Sequence, residues 1–189
     1  TGTADTPYCT APIYMLQLVP AKNGESLLVF YDTGCVEATI SDRAHSLLDT
    51  VAGRPGPVTI DVAGGQRILN PYGYETFKLE KVDGTMVQIR GLHMPEVTSE
   101  FPLWELGGAW KQIAKHYSQT KHRDGALPTC PEYIGGSCVD IMLGIEYTSC
   151  YPDVVCELPS GLRLYKSRLK SVGGHTGIIG GPCTAWNAA

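Results

Sequence analysis

The chain has 189 residues, 43% of them apolar and 18% charged, which is enough to build one domain over residues 1–189. Its 22 glycines and 13 prolines favour short strands and turns over an all-helical fold. The net charge is −4 and no stretch is densely basic, which argues against nucleic acid as a partner. No apolar run is long enough to cross a membrane, and Thr1 to Thr10 lacks the plan of a signal peptide. We therefore expect a soluble chain cut from a longer protein.

The first elements predicted along the chain are strands around one acidic loop. Ile13 to Val19 and Leu27 to Tyr31 are apolar runs on either side of an Asn23-Gly24 turn, which indicates an antiparallel pair. The second run ends at Asp32-Thr33-Gly34, and Val36 to Ile40 then alternates as a third strand. The pattern therefore predicts that Asp32 lies in a loop held between two strands.

A short helix and two hairpins are predicted next. Ser41 is a candidate cap for a helix in which four apolar residues repeat at helical spacing, Ala44, Leu47, Leu48 and Val51. Pro57 to Val62 and Gln66 to Leu69 flank the tip Ala63-Gly64-Gly65, which is typical of a mobile hairpin. A second hairpin is predicted around Asp83-Gly84, with strands Tyr74 to Glu80 and Thr85 to His93.

The second half of the chain predicts a longer helix and further strands. Apolar residues at steps of three and four indicate an amphipathic helix over Leu103 to Tyr117, and Gly107 and Gly108 suggest that it is short or starts after them. Ser118 to Gly136 is polar and turn-rich and is expected to be an exposed loop. The remaining predicted elements are the strand Val139 to Leu143, which ends at Gly144, a hairpin of Val154 to Leu158 and Leu162 to Tyr165 around Pro159-Ser160-Gly161, and the strand Gly177 to Gly181.

The seven cysteines are expected to be mostly reduced thiols. They are Cys9, Cys35, Cys130, Cys138, Cys150, Cys156 and Cys183. An odd number cannot pair completely, and a chain of this length has enough core to fold without disulfides. No Cys-x-x-Cys occurs, and the spacings within the cysteine-rich stretch are wider than those of structural zinc pairs, so no metal site is assigned. One local disulfide and a zinc-organised interaction domain stay as alternatives.

Three features in order give the chain its resemblance to a known family. Asp32-Thr33-Gly34 follows an apolar strand, Gly64-Gly65 lies about thirty residues on, and an apolar strand, Ile141-Met142-Leu143, closes on Gly144. In this the chain resembles the retropepsin-like aspartic peptidases. The stretches Gly135 to Tyr147, Leu158 to Tyr165 and Gly180-Gly181-Pro182 are most similar to the peptidase region of Bel/Pao-type retrotransposon polyproteins, and the resemblance covers about Ile13 to Pro182.

The resemblance implies a fold and a mechanism. It implies an all-β acid-protease barrel with one or two helices, acting as an aspartic endopeptidase without a cofactor. Catalysis would fall to Asp32, Thr33 and Gly34, and substrate would be covered by the hairpin residues Val62, Ala63, Gly64 and Gly65. Because the sequence holds a single Asp-Thr-Gly, two copies would form a homodimer that hydrolyses an extended peptide, maturing the parent polyprotein in the cytoplasm or within virus-like particles.

The chain departs from the compact members of that family in two respects. Gly144 lies 112 positions after Asp32, which is farther than in the compact viral enzymes of the family. The additional residues are expected to form an inserted helix and loop near 95–136. Cys35 stands where many retropepsins carry alanine, which leaves open oxidation of a thiol beside the carboxylates. The rival function is a catalytically inactive retropepsin-like module kept for dimerisation or peptide binding.

Several other residues receive ordinary structural interpretations. Cys35 lacks a histidine in a recognisable partner motif, which disfavours a cysteine peptidase. Asp140 is expected to make a loop hydrogen bond rather than take part in catalysis. His116 and His122 are expected on a solvated surface, and Trp104 and Trp110 in the core or a dimer contact.

Overall fold

A computed structural model of the chain describes residues 12–53, 58–62, 65–69, 72–120 and 126–182. The strands in chain order are β1 (Leu16–Pro20), β2 (Ser26–Tyr31), β3 (Ala38–Ile40), β4 (Val51–Ala52), β5 (Val58–Val62), β6 (Gly65–Leu69), β7 (Gly73–Glu80), β8 (Met86–His93), β9 (Leu103–Glu105), β10 (Tyr133–Gly135), β11 (Ile141–Leu143), β12 (Asp153–Glu157), β13 (Arg163–Lys166) and β14 (Gly177–Gly180). The α-helices are α1 (Asp42–Leu47) and α2 (Gly107–Gln119), and short 3₁₀ turns cover Lys22–Gly24, Ile145–Cys150 and Val172–Gly174. The protein is thus mostly β, as predicted.

A seven-stranded sheet organises the molecule, in the order β1-β2-β11-β3-β8-β7-β4. β11 runs parallel to β2 and antiparallel to β3, and β3 runs parallel to β8. Smaller sheets are formed by β9 with β10, by β12, β13 and β14, and by β5 with β6. Within the described ranges the strands do not close into the barrel that the resemblance implies, because β1 and β4 lie at the two edges of the large sheet.

Both faces of the large sheet are buried at β2. Leu27, Val29 and Tyr31 contribute to one hydrophobic cluster, which also holds residues of β3, β7, β8 and α1. Leu28 points the other way into a second cluster, and Phe30 packs against that cluster. A strand with alternating side chains on two buried faces is apolar at every position, which explains the uninterrupted Leu27 to Tyr31 run.

The segment expected as an insertion contributes five buried residues to the second cluster, Trp104, Leu106, Ala109, Ile113 and Ile134. Trp104 of β9 and Ile113 of α2 are fully buried, and Ile134 of β10 packs with them. The predicted helix over Leu103 to Tyr117 is corrected at its start, because Leu103–Glu105 pairs with Tyr133–Gly135 as a strand. Part of the predicted loop over Ser118 to Gly136 is therefore ordered as the end of α2 and as β10.

The helix α2 also begins earlier than its glycines suggested. Gly107 and Gly108 form its first turn, where backbone N–H groups have no partner within the helix and glycine weakens the helix least. The Glu105 side chain accepts a hydrogen bond from Gly107 N–H at 2.6 Å and so replaces a capping residue. Among the helices of the described ranges, none is long and apolar enough to span a membrane.

The shorter helix α1 forms as predicted, although it is one turn shorter than the apolar repeat. The hydroxyl of Ser41 accepts a hydrogen bond from Ala44 N–H at 3.1 Å, and Ala44 is buried against the sheet. Val51 lies outside the helix, in the edge strand β4, which pairs with β7. The predicted hairpins of β5 with β6, β7 with β8 and β12 with β13 are all present.

Candidate active site

Asp32 is the first residue after β2. Its backbone N–H donates to Leu143 O at 3.0 Å, and its carbonyl oxygen accepts from Cys35 N–H at 3.2 Å, which closes a tight turn over Asp32-Thr33-Gly34-Cys35. One residue earlier, Tyr31 N–H donates to Met15 O at 3.1 Å. The chain at Asp32 is therefore held from both sides of β2.

The loop from Asp32 to Glu37 rests on the end of β11. Because β11 lies between β2 and β3, the loop that joins those two strands passes over its end. Three backbone hydrogen bonds fix the contact: Gly144 N to Glu37 O at 3.1 Å, Ile145 N to Cys35 O at 2.8 Å and Glu146 N to Val36 O at 3.0 Å. The apolar strand that closes on Gly144, one of the three features that carry the resemblance, thus adjoins the Asp32 loop.

Gly144 allows this close approach. A Cβ atom at position 144 would lie 2.5 Å from the carbonyl oxygens of Cys35 and Glu37 and 2.6 Å from the carbonyl carbon of Val36. These are backbone atoms, so none of them can move aside as a side chain could. The strand can support the loop at this distance only where it has no side chain.

The Asp32 carboxylate is partly buried and accepts a hydrogen bond at Oδ1 from Gly34 N–H at 2.9 Å. Thr33 and Gly34 are exposed. Two cavities of about 760 and 570 Å³ lie elsewhere on the surface, and Asp32 lines neither. In a single chain the loop is thus an open surface feature.

Two exposed apolar side chains lie beside the loop. Val36, in the loop itself, is 61% exposed, and Ile145, whose N–H donates to Cys35 O, is 47% exposed. The surface next to the Asp32 loop is thus partly apolar.

Two groups beside the loop, the Cys35 thiol and the Tyr151 hydroxyl, favour their neutral forms. Burial, together with the negative charges of Asp32 and Glu37, raises the pKa of the Cys35 thiol above its usual value, although a hydrogen bond to Glu37 O at 3.5 Å acts in the opposite direction. Burial and the charge of Asp32 raise the pKa of Tyr151 to about 12, and its hydroxyl donates to Leu143 O at 2.8 Å. A thiol with a raised pKa is a poor nucleophile, which argues against the cysteine-peptidase alternative.

Glu37 ties the loop to the neighbouring strands. Its carboxylate accepts a hydrogen bond from the Tyr74 hydroxyl at 2.8 Å, and the Arg90 guanidinium lies 3.7 Å from the centre of the Tyr74 ring. The Tyr147 hydroxyl donates to Arg90 O and accepts from Arg90 N–H, at 3.1 and 2.9 Å. The end of the Asp32 loop is thereby linked to β7 and β8.

The hairpin predicted to cover the substrate is formed by β5 and β6. Val62 and Gly65 are the last paired residues, and Gly65 has a φ of 129°, a conformation that favours glycine. Ala63 and Gly64, the other two predicted substrate-binding residues, lie outside the described residues.

The other residues singled out in the sequence have structural surroundings. Asp140 is buried at the far end of β11, where its carboxylate accepts from Leu28 N–H at 2.8 Å and pairs with Arg43 at 2.9 Å, as the loop interpretation expects. Trp104 is fully buried, and Trp110 donates to Pro128 O at 3.1 Å. His122 lies outside the described residues.

The local disulfide kept as an alternative in the sequence analysis is not formed between neighbouring cysteines of the described residues. Cys35, Cys130, Cys138 and Cys150 all carry free thiols, so Cys130 does not pair with Cys138, nor Cys150 with Cys156. Cys9 and Cys183 lie outside the described residues.

One cluster of titratable residues was not anticipated from the sequence. His45 of α1, Glu75 of β7 and His93 of β8 place one donor atom each within 4.8 Å of one another. The three residues come from three elements and are separated by 30 and 18 positions, so no local sequence motif predicts the cluster.

Comparison with known proteins gives this chain no family assignment. No family model matches it, and neither a curated protein nor a solved structure does. Any statement of function therefore depends on the residues and geometry described above.

Proposed function

We propose that the chain is one half of a homodimeric, retropepsin-like aspartic endopeptidase. The observation that carries the proposal is the Asp32 loop between β2 and β3, held by backbone hydrogen bonds over the glycine that ends β11. This arrangement fixes the backbone of an Asp-Thr-Gly while leaving Thr33 and Gly34 exposed. A fixed backbone with an exposed Asp-Thr-Gly is what the resemblance to retropepsins leads us to expect.

The chemistry requires two such carboxylates. At a separation of a few ångströms two carboxylates cannot both ionise, so they share one proton. The ionised carboxylate takes a proton from a water molecule as the water attacks the peptide carbonyl carbon, and the protonated one donates to the carbonyl oxygen. Each Asp32 can take either part, because the two subunits are equivalent.

A second copy of the chain is the natural source of the second carboxylate. The sequence contains one Asp-Thr-Gly, and a twofold axis through the loop would bring Asp32 of each copy together. Exposed Thr33 would then form hydrogen bonds across the axis. The exposed Val36 and Ile145 supply apolar surface at the same place for the partner or for substrate.

The proposed substrate is an extended peptide segment of the parent polyprotein. Such a segment binds by backbone hydrogen bonds of the kind made in a sheet. The hairpin of β5 and β6 would fold over it and exclude bulk water. For a retrotransposon polyprotein, maturation would take place in the cytoplasm or in virus-like particles.

The direct test is the Asp32→Asn variant. The polyprotein that contains the chain is expressed as the wild type and with this one substitution, and the cleavage products of each are identified by mass spectrometry. General acid–base catalysis contributes about 10²- to 10⁴-fold, so we expect cleavage to fall by at least about 10². Asp49→Asn is the matched control, since Asp49-Thr50 is an Asp-Thr on the surface that lacks the following glycine, and Asp49 is exposed.

Two outcomes would contradict the proposal. Equal cleavage by the wild type and the Asp32→Asn variant would show that another group carries the hydrolysis. Absence of cleavage by a wild-type chain that forms dimers and binds peptides, but does not bind a statine-type transition-state mimic, would favour the inactive dimerisation or peptide-binding module.

A further inference from the structure

The His45, Glu75 and His93 cluster lies apart from the Asp32 loop. His93 ends β8 and pairs with Ile40 at the end of β3, whereas the Asp32 loop enters β3 at its beginning, at Ala38. The cluster and the loop are therefore at opposite ends of β3. Nothing in the proposed peptidase chemistry uses the cluster.

The side chains of the cluster converge on one carboxylate. His45 Nδ1 lies 2.7 Å from Glu75 Oε2, and His93 Nδ1 lies 3.2 Å from Glu75 Oε1. Glu75 and His93 are each 5% exposed, while the His45 side chain is 45% exposed. Each residue is held by a regular element, the capped helix α1 or the paired strands β7 and β8, which keeps the three donors in place.

A fourth residue fixes the orientation of His93. Its Nε2 lies 2.7 Å from Asp42 Oδ1, so the carboxylate accepts the Nε2 proton. A neutral His93 with its proton on Nε2 carries a lone pair on Nδ1, which faces the Glu75 carboxylate. Either a proton on Nδ1 or a metal ion bound to both groups satisfies that lone pair and the carboxylate at this distance, and the zinc titration below distinguishes the two. A histidine that binds a metal through one ring nitrogen commonly donates its other ring N–H to a carboxylate, as His93 Nε2 does to Asp42.

We propose that His45 Nδ1, His93 Nδ1 and the Glu75 carboxylate bind a divalent transition-metal ion of the zinc class. Two imidazoles and one carboxylate are a donor set that zinc uses where a fourth position is left to water. The exposed side of His45 provides that position. The His45 and His93 rings are stacked, with centroids 4.4 Å apart and planes at 15°, and their Nδ1 atoms face the two oxygens of the same carboxylate.

The position of the site suggests what the ion stabilises. Tyr72 N–H donates to His93 O at 3.1 Å, and the Tyr72 ring lies 4.6 Å from that of His93. Thr50 Oγ1 lies 3.4 Å from His45 Nδ1, and β4 follows directly. These residues precede and follow the β5–β6 hairpin, so the ion would fasten the base of that hairpin to α1, β7 and β8.

The test measures zinc binding by the full 189-residue chain without an affinity tag. The protein is stripped with a chelator and titrated with Zn²⁺ by calorimetry, and thermal unfolding is followed with and without the ion. We expect one ion per chain and a higher unfolding temperature with zinc, since a ligand of the native state stabilises it. Substitution of cobalt should give the visible spectrum of a four-coordinate site with nitrogen and oxygen donors.

Variants separate this cluster from other metal-binding groups. His45→Ala should remove stoichiometric binding while the chain still folds, because the His45 side chain is half exposed. Asp42→Asn should weaken binding by about 10- to 100-fold, as expected for an outer partner of a ligand. His116→Ala, on α2 and outside the cluster, should bind as the wild type does.

Three results would overturn the proposal. The first is a wild-type chain whose unfolding temperature and calorimetric trace do not respond to Zn²⁺. The second is a His45→Ala variant that binds as tightly as the wild type. The third is a thiolate-to-cobalt charge-transfer band, which would assign the metal to cysteines.

Discussion

Tyr74 joins the Asp32 loop to β7 through one hydroxyl proton. Burial and the hydrogen bond to the Glu37 carboxylate raise the pKa of Tyr74 from 10.0 to about 12. The folded chain therefore holds this proton more tightly than the unfolded chain does. Such a group stabilises the fold fully below pH 10, and the contribution is lost as the pH rises toward 12.

This linkage predicts a difference between the wild type and Tyr74→Phe in alkali. Wild-type stability should fall more steeply with pH above 10. One titrating group contributes at most about 1.4 kcal/mol per pH unit. Urea unfolding between pH 9 and 12 gives the stability of both proteins as a function of pH.

Tyr14→Phe, at a position that is 47% exposed, is the control and should follow the wild type. A Tyr74→Phe profile parallel to that of the wild type would refute the linkage.

The residues of the two sites differ in how far the sequence could predict them. Asp32, Thr33 and Gly34 are consecutive and follow a buried strand, so their pattern was readable from the chain alone. The cluster of His45, Glu75 and His93 joins distant positions that the folding of α1, β7 and β8 brings together. No periodicity of the sequence encodes that convergence, because it depends on which strands become neighbours.

At the scale of elements, β11 determines the geometry of the Asp32 loop. It is only three residues long, yet it pairs with β2 on one side and β3 on the other. Gly144 then passes under the loop at a distance that leaves no room for a side chain. The stability of the loop and the function proposed for it thus depend on one residue outside the Asp-Thr-Gly.

Replacing Gly144 by alanine should therefore affect both stability and activity. A methyl group placed 2.5 Å from two carbonyl oxygens must push the loop away from β11. Overpacking of this kind costs about 1–3 kcal/mol. We expect a lower urea midpoint and, under the proposed function, loss of most peptidase activity.

Gly107→Ala is the matched control for this prediction. Its Cβ would displace the flexible carboxylate end of Glu105 and cost one capping hydrogen bond, which the higher helix propensity of alanine offsets. The prediction is wrong if Gly144→Ala unfolds at the same urea concentration as Gly107→Ala.

The elements that sequence patterns misplaced are those fixed by distant partners. Leu103–Glu105 continues a helical repeat in the sequence, but it forms β9 because Tyr133–Gly135 lies alongside it and Trp104 fills the second core. The edge strand β4 is two exposed residues, Val51–Ala52, that pair with β7, and a strand this short has no alternating pattern. The long hairpins were predicted because each has its turn and both its strands close together in the sequence.

At the scale of the whole molecule, the fold exposes the Asp32 loop rather than enclosing it. The large sheet has a hydrophobic cluster on each face, and the Asp32 loop lies at the end of β2, between the two clusters. Thr33, Val36 and Ile145 are exposed there. A single chain thus provides one carboxylate on a rigid, partly apolar surface, and the proposed peptidase needs the same surface of a second chain.

Mixing subunits tests that requirement directly. Wild-type protein is equilibrated with a fourfold excess of Asp32→Asn, and peptidase activity is measured per wild-type subunit. If two Asp32 residues are needed, random pairing leaves about one fifth of the wild-type subunits with a wild-type partner, so activity should fall to about one fifth. Asp49→Asn added in the same excess should cause no loss, since its dimers keep both Asp32 residues. Activity that does not change with added Asp32→Asn would mean that each chain acts alone, and the homodimeric mechanism would then be wrong.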